Sequence, residues 1–191
     1  MNKTEIRKIA KQLRDDIYGN QKVKLDSSIY QKIIDSNLYK ESKNIFTYIS
    51  FGSEVDTKTL ILKMLNDNKN IFVPKINIKD NSMEAIKITS LNQLEENCFG
   101  TLEPNTGYRV DPKEIDLIVT PGVAFDISGN RVGLGKGFYD RYFVRTSENV
   151  NKLGLAYECQ VFDKIEVDKF DIQLDYLVTE KRFINTKKWT V

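Results

Sequence analysis

Ile115-Asp116-Leu117-Ile118-Val119-Thr120-Pro121-Gly122 is followed, after a short turn, by Arg131-Val132-Gly133-Leu134-Gly135-Lys136-Gly137-Phe138-Tyr139-Asp140-Arg141. Apart from Asp116, the first stretch is apolar and rich in β-branched residues up to Thr120, the pattern of a strand buried on both faces of a sheet. Pro121 and Gly122 end it, Val123-Ala124-Phe125 turns back inward, and residues 126–130 are turn formers. The glycine run therefore lies beyond the carboxyl end of a central strand, where open α/β sheets bind ligands. Glycine tolerates positive φ and lets backbone N–H groups approach a ligand closely. A helix starting after Gly137 would add its own N–H groups and dipole, and Lys136 a mobile positive charge. That combination suits a nucleotide phosphate, although a Gly-x-Gly-x-Gly run is also a common mobile turn. It matches neither the Walker A pattern nor the dinucleotide fingerprint.

Periodicity extends the same reading in both directions. Residues 3–18 form a helix with Ile6, Ile9, Ala10, Leu13 and Ile17 inward, and Lys3, Arg7, Lys11 and Arg14 as a neighbouring basic stripe. Such a stripe is either a solvated flank or a ligand contact. A second helix is expected over 27–38, a strand over 44–50, and a helix capped by Asp56 running to about residue 68. Another strand covers 70–75, where Pro74 marks a strand end or an edge. A shorter strand follows at 83–89, then helical turns over 90–97. Residues 98–113 read as a long functional loop. A helix over 137–145 and strands over 153–157 and 176–179 complete the pattern. Strands alternating with helices predict one three-layer α/β domain, residues 1–191, with a mostly parallel, mixed sheet between helices.

Composition narrows the chemistry. The chain has 191 residues, enough to bury about two-thirds of its unfolded surface. Its 29 basic and 27 acidic side chains leave a formal charge of +2, so no general field draws it to nucleic acid. Cys98 and Cys159 form neither a disulfide framework nor a metal spacing, and read as buried thiols. The charged amino terminus lacks a secretory core, and no apolar stretch is long enough to span a membrane, which points to the cytoplasm. There is no histidine. That excludes the usual Ser-His-Asp and Cys-His schemes and His-ligated zinc or iron. A metal must be held by carboxylates, which favours magnesium, and charged-phosphate chemistry tolerates the loss best. No obligate protein partner is evident.

Pro121-Gly122-Val123-Ala124-Phe125-Asp126, Gly129-Asn130-Arg131 and the run 133–141 together closely resemble the signature of 5-formyltetrahydrofolate cyclo-ligases. The resemblance continues through Lys3-x-x-x-Arg7, residues 48–54, Val73-Pro74-Lys75, Glu103-Pro104 and residues 155–160 with Asp171 and Asp175. It implies a Rossmann-like mixed sheet and an ATP- and magnesium-dependent closure of 5-formyltetrahydrofolate to 5,10-methenyltetrahydrofolate. It also implies site residues. Lys136 would act on the transferring phosphoryl group. Lys3, Arg7, Arg131, Gly133, Leu134, Gly135, Lys136, Gly137, Phe138 and Tyr139 would hold ATP. Ile49, Glu54, Lys136, Gly137 and Phe138 would hold the folate, with Glu54 reading the side-by-side donors of the pterin. Asp140 and Asp171 would be the magnesium ligands, with Asp168 and Asp175 as alternatives to the second. The aspartate follows Phe170 where bacterial members often have histidine, and Phe138 replaces the first of two tyrosines. Other readings are a non-catalytic nucleotide or folate sensor, and a sugar-phosphate isomerase or coenzyme A transferase on a similar fold.

Overall fold

A computed structural model describes residues 1–97 and 100–188 of the chain. Cys98 lies outside the described residues. The elements in order are α1 (Lys3–Asp15), α2 (Gly19–Asp35), α3 (Asn37–Glu41), β1 (Asn44–Thr47), α4 (Lys58–Asn66), β2 (Asn70–Asn77) and β3 (Ser82–Ile88). Next come β4 (Leu94–Glu96), β5 (Leu102–Pro104), β6 (Leu117–Thr120), β7 (Ala124–Asp126), β8 (Arg131–Val132) and α5 (Phe138–Phe143). The chain closes with β9 (Asn151–Leu155), β10 (Val161–Phe162), β11 (Tyr176–Val178) and β12 (Phe183–Asn185).

Seven strands make the main sheet in the order β12-β11-β9-β6-β1-β2-β3. The five inner strands are parallel, and β3 and β12 pair antiparallel at the two edges. Alternation along the inner strands divides the core. Ile45, Leu117 and Val119 face the layer of α2 and α4, where Ile29, Ile33, Leu60, Ile61 and Met64 are buried. Phe46 and Ile118 face the other layer with Phe125 and with Tyr142 and Phe143 of α5. A period of two with both faces covered is why β6 reads as continuously apolar. Asp116, the polar exception, accepts hydrogen bonds at Oδ2 from the amides of Lys43 (2.9 Å) and Asn44 (2.8 Å), tying the start of β6 to that of β1.

Several expected boundaries move. The second helix starts at Gly19, and a separate short helix follows it. Thr57, not Asp56, is the N-cap residue of α4, but the Asp56 carboxylate accepts from the amides of Lys58 (3.0 Å) and Thr59 (3.2 Å) and does the capping work. Pro74 is inside β2, which is not an edge strand. The pairing of β2 with β1 stops at Phe72, however, so Pro74 faces only β3. Residues 90–97 give one 3-10 turn and then β4, and the loop 98–113 contains β5, so the two strands form a hairpin. A second, three-stranded sheet in the order β10-β7-β8 packs under α1, with Ile6 and Ala10 buried against Val123, Ala124 and Val132.

Candidate functional site

Between β6 and β1 the order of strand connection reverses. From β1 the chain winds outward to β2, and from β6 it winds the opposite way through β9 to β11. Loops leaving the carboxyl ends of two such strands diverge and leave a crevice. A cleft of about 420 Å³ occupies this position. Its walls include Lys3, Arg7, Ile49, Glu54, Arg131, the whole run from Gly133 to Asp140, and Asp171, so every residue expected at the site lines one cavity.

The glycine segment is held at both ends. Arg7 of α1 donates from Nε to the Gly133 carbonyl (2.8 Å), and Arg141 donates from Nη2 to the Lys136 carbonyl (2.8 Å) while also holding the Asn81 carbonyl in the β2–β3 turn. Gly135 (φ 93°) and Gly137 (φ 64°) adopt left-handed backbone that ordinary side chains disfavour. Between these anchors Leu134 is 83% exposed, and the Lys136 side chain is exposed and makes no hydrogen bond or ion pair among the described residues. The following helix is only six residues long, shorter than expected. Loop amides and the lysine, more than a helix dipole, would thus meet an anion here.

The other charges near the loop are paired. The Lys3 ammonium contacts the carboxylates of Asp168 (2.6 Å) and Asp171. Burial works against the charge of Lys3, but its bonds to the two aspartates win and raise its pKa. Burial would likewise raise Asp171. The Asp168 amide and Lys3 overcome it and hold that carboxyl below the usual range. Arg131 lines the cleft, but its side chain is only 6% exposed. Its Nη2 donates to both oxygens of Asp140 at 3.0 Å, and the guanidinium lies over the rings of Tyr139 (5.5 Å) and Phe143 (5.7 Å). The Ile172 amide also donates to Asp140 Oδ1 (3.2 Å), which brings residue 171 beside Asp140. Asp175, a sequence alternative for the metal, is instead a buried anchor that accepts from Lys152 at the start of β9 and from Lys187. It does not line the cleft.

The facing wall is mostly apolar. Tyr48 and Ile49 follow β1, and Pro74 and Ile76 of β2 with Met83 of β3 extend the surface. Glu54 closes a tight turn, accepting from the Phe51 amide (3.0 Å). Burial pushes its carboxyl upward in pKa, partly offset by the Phe51 bond and by the positive charges of Arg14 and Lys22. The β4–β5 hairpin contributes Thr101, Leu102 and Glu103. The sequence marked Glu103-Pro104 but assigned it no role, and gave Met83 only as part of a strand. Tyr139 is wedged between layers, with its ring stacked near Phe46 (6.1 Å between centroids) and its hydroxyl buried without a hydrogen-bond partner among the described residues.

Fold and site together define an α/β protein with an anchored glycine loop facing an apolar, carboxylate-tipped pocket at the switch point of the sheet. Residues 1–180 match the model of the 5-formyltetrahydrofolate cyclo-ligase family, and the chain belongs to that family. It is 33% identical to the 5-formyltetrahydrofolate cyclo-ligase of Haemophilus influenzae, over 92% of this chain and 95% of that one. The solved structure of Aquifex aeolicus 5,10-methenyltetrahydrofolate synthetase superposes with a TM-score of 0.87 at 34% identity, covering 98% of this chain and 94% of that one. The enzyme of the same name from Mycoplasma pneumoniae gives 0.77 at 26% identity, over 94% and 99%. Among the described residues no helix is long and apolar enough to cross a membrane.

Proposed function

We propose that this protein converts 5-formyltetrahydrofolate and ATP to 5,10-methenyltetrahydrofolate, ADP and phosphate, with magnesium. Membership of the family supports the overall reaction. The observation that carries the assignment of roles is the unpaired Lys136 ammonium, presented by a loop pinned at Gly133 and Lys136, inside the cleft that also holds Glu54.

The N-formyl oxygen is a poor leaving group, so closure by N10 stalls unless that oxygen is first phosphorylated. Transfer of the γ-phosphoryl group to it gives a good leaving group and an electrophilic carbon, which N10 of the same molecule attacks. Catalysis is then mostly alignment and charge neutralisation. In this reading Lys136 stabilises the moving phosphoryl group, and the amides of Gly133 to Gly137 cradle the triphosphate. Lys3 and Arg7 lie one helical turn apart and flank it. Ile49 and Phe138 wall the pterin, while Glu54 accepts its paired N–H donors. Arg131 serves the triphosphate site by fixing the Asp140 carboxylate. Leu134 and Tyr139 complete the nucleotide side.

Asp140 and Asp171 are the carboxylates that would hold a magnesium ion in this reading. They share the cleft, and the Ile172 amide links their positions. Magnesium takes few carboxylates and fills its shell with water and phosphate oxygens, so two suffice. When bound, the ion would neutralise phosphate charge. Lys3 would then be free to leave Asp171 for the nucleotide.

Mixing the protein with 5-formyltetrahydrofolate, ATP and magnesium is expected to produce the strongly absorbing methenyl compound. No absorbance from folded protein would replace this reading by that of a nucleotide or folate sensor.

A further inference from the structure

Glu103 carries an inference that rests on the proposed reaction. The ion pairs and backbone bonds described above engage the other charged side chains of the cleft. Two remain without a hydrogen bond or ion pair among the described residues: the Lys136 ammonium and the Glu103 carboxylate. Glu103 lies in the middle of β5, half-buried, and its hairpin overhangs the cleft. Glu95, its cross-strand neighbour, is exposed and accepts from Asn105 Nδ2 (2.5 Å), whereas Glu103 lines the cleft.

The reaction has a use for each free group. Phosphoryl transfer needs a cation, which Lys136 supplies. Ring closure needs a base. The N10–carbon bond forms, the bond from that carbon to the phosphorylated oxygen breaks, and phosphate departs with the electron pair. N10 must lose its hydrogen as a proton, because the methenyl product carries none there. Glu54 is a poor choice for this task, since it already accepts from the Phe51 amide and faces the pterin donors. The Asp140 and Asp171 carboxylates are held by cations and amides. We infer that Glu103 is the catalytic base that receives the N10 proton as the ring closes.

Glu103→Gln keeps the shape of the side chain and removes the base. With both substrates saturating, its single-turnover rate should fall about 10²-fold, within the range for loss of a general base. The half-saturation concentrations for ATP and folate should stay at wild-type values. Glu103→Asp, which keeps a carboxylate, should retain more of the single-turnover rate than Glu103→Gln. A Glu103→Gln rate within a few-fold of wild type, with phosphate or water taking the proton, would overturn the inference. So would a loss confined to half-saturation. Wild-type protein that makes no methenyl product would bring down the functional reading as well. An active wild type with an unaffected variant removes only the role of Glu103.

Discussion

Along the glycine-loop wall of the cleft, charge is abundant and mostly committed. Lys3 is tied to Asp168 and Asp171, Arg131 to Asp140, and Arg7 to the Gly133 carbonyl. The facing wall, with Tyr48, Ile49, Pro74, Ile76 and Met83, has little charge, and its Glu54 is raised in pKa by burial. In the proposed reading the first wall takes the highly charged ligand with its groups arranged in advance, so little reorganisation is left for the reaction itself. The other would then select a flat, largely apolar ligand by desolvation, with one carboxylate to fix its orientation. Damage to the two walls should therefore differ in kind. The first should lose rate or nucleotide affinity, the second folate affinity.

The largest effect belongs to Lys136. Lys136→Ala removes the free cation without touching any hydrogen bond among the described residues, so the fold should be unchanged. Turnover should fall by roughly 10²–10³-fold, the usual cost of one preorganised electrostatic contact to a transition state. Folate binding, read by calorimetry, should weaken far less than turnover falls. Equal losses in rate and folate affinity would mean the walls do not divide the work, and that Lys136 is an affinity contact.

Glu54→Gln should do the reverse. Losing the charged acceptor for paired donors costs about 1–3 kcal/mol, or roughly 5–150-fold in folate Kd, and should leave ATP affinity alone. The sign of the pH dependence follows from burial. The folded-state pKa of Glu54 lies above the ordinary 4.5, so on acidification this carboxylate is neutralised earlier than an exposed one. Wild-type folate affinity should fall as pH drops through that raised pKa, while Glu54→Gln is flat across the same range. Folding stability moves the other way, because a raised carboxyl pKa means the folded state favours the protonated form. A folate titration at several pH values, at temperatures where both proteins stay folded, separates the two effects. A pH-dependent affinity retained in Glu54→Gln would assign the titrating group elsewhere.

The sequence made the glycine-loop wall more legible than the apolar wall, for physical reasons. A buried parallel strand is a continuous apolar run, and a loop that must adopt left-handed backbone shows its glycines. The β6 strand and the run 133–137 therefore stand out. A wall assembled from Ile76, Met83 and Leu102 shows no such mark, since each is an ordinary apolar residue until the chain folds. The hairpin β4–β5 and the strands β8 and β10 are two or three residues long, too short for any period to appear. The second helix begins at Gly19 because packing of Ile29 and Ile33 carries a poor helical start with it. Proximity in sequence also misleads about partners. Asp140 adjoins Arg141, yet Arg141 turns to Asn81, and Asp140 is held by Arg131 from across the folded loop.

The smallest effect tests whether the glycine-loop wall is rigid before nucleotide arrives. Gly137 is the N-cap of α5 at φ 64° and ψ 22°, and a Cβ there would sit 3.0 Å from Arg141 Nη1. Gly137→Ala should cost about 1–2 kcal/mol for the left-handed backbone, a fall of roughly 2–8 °C in Tm for a chain of this size. The displaced Arg141 guanidinium would loosen its bond to the Lys136 carbonyl, so the nucleotide should bind more weakly and the folate should not. Scanning calorimetry and separate titrations of the two ligands measure all three quantities. Lower stability with both ligands weakened equally would show that the walls form one mechanical unit. Unchanged stability and nucleotide affinity would mean that the loop does not depend on its anchor at Arg141. A selective nucleotide loss supports the division of labour, because Glu54 takes its own hydrogen bond from the Phe51 amide and not from the Arg141 anchor.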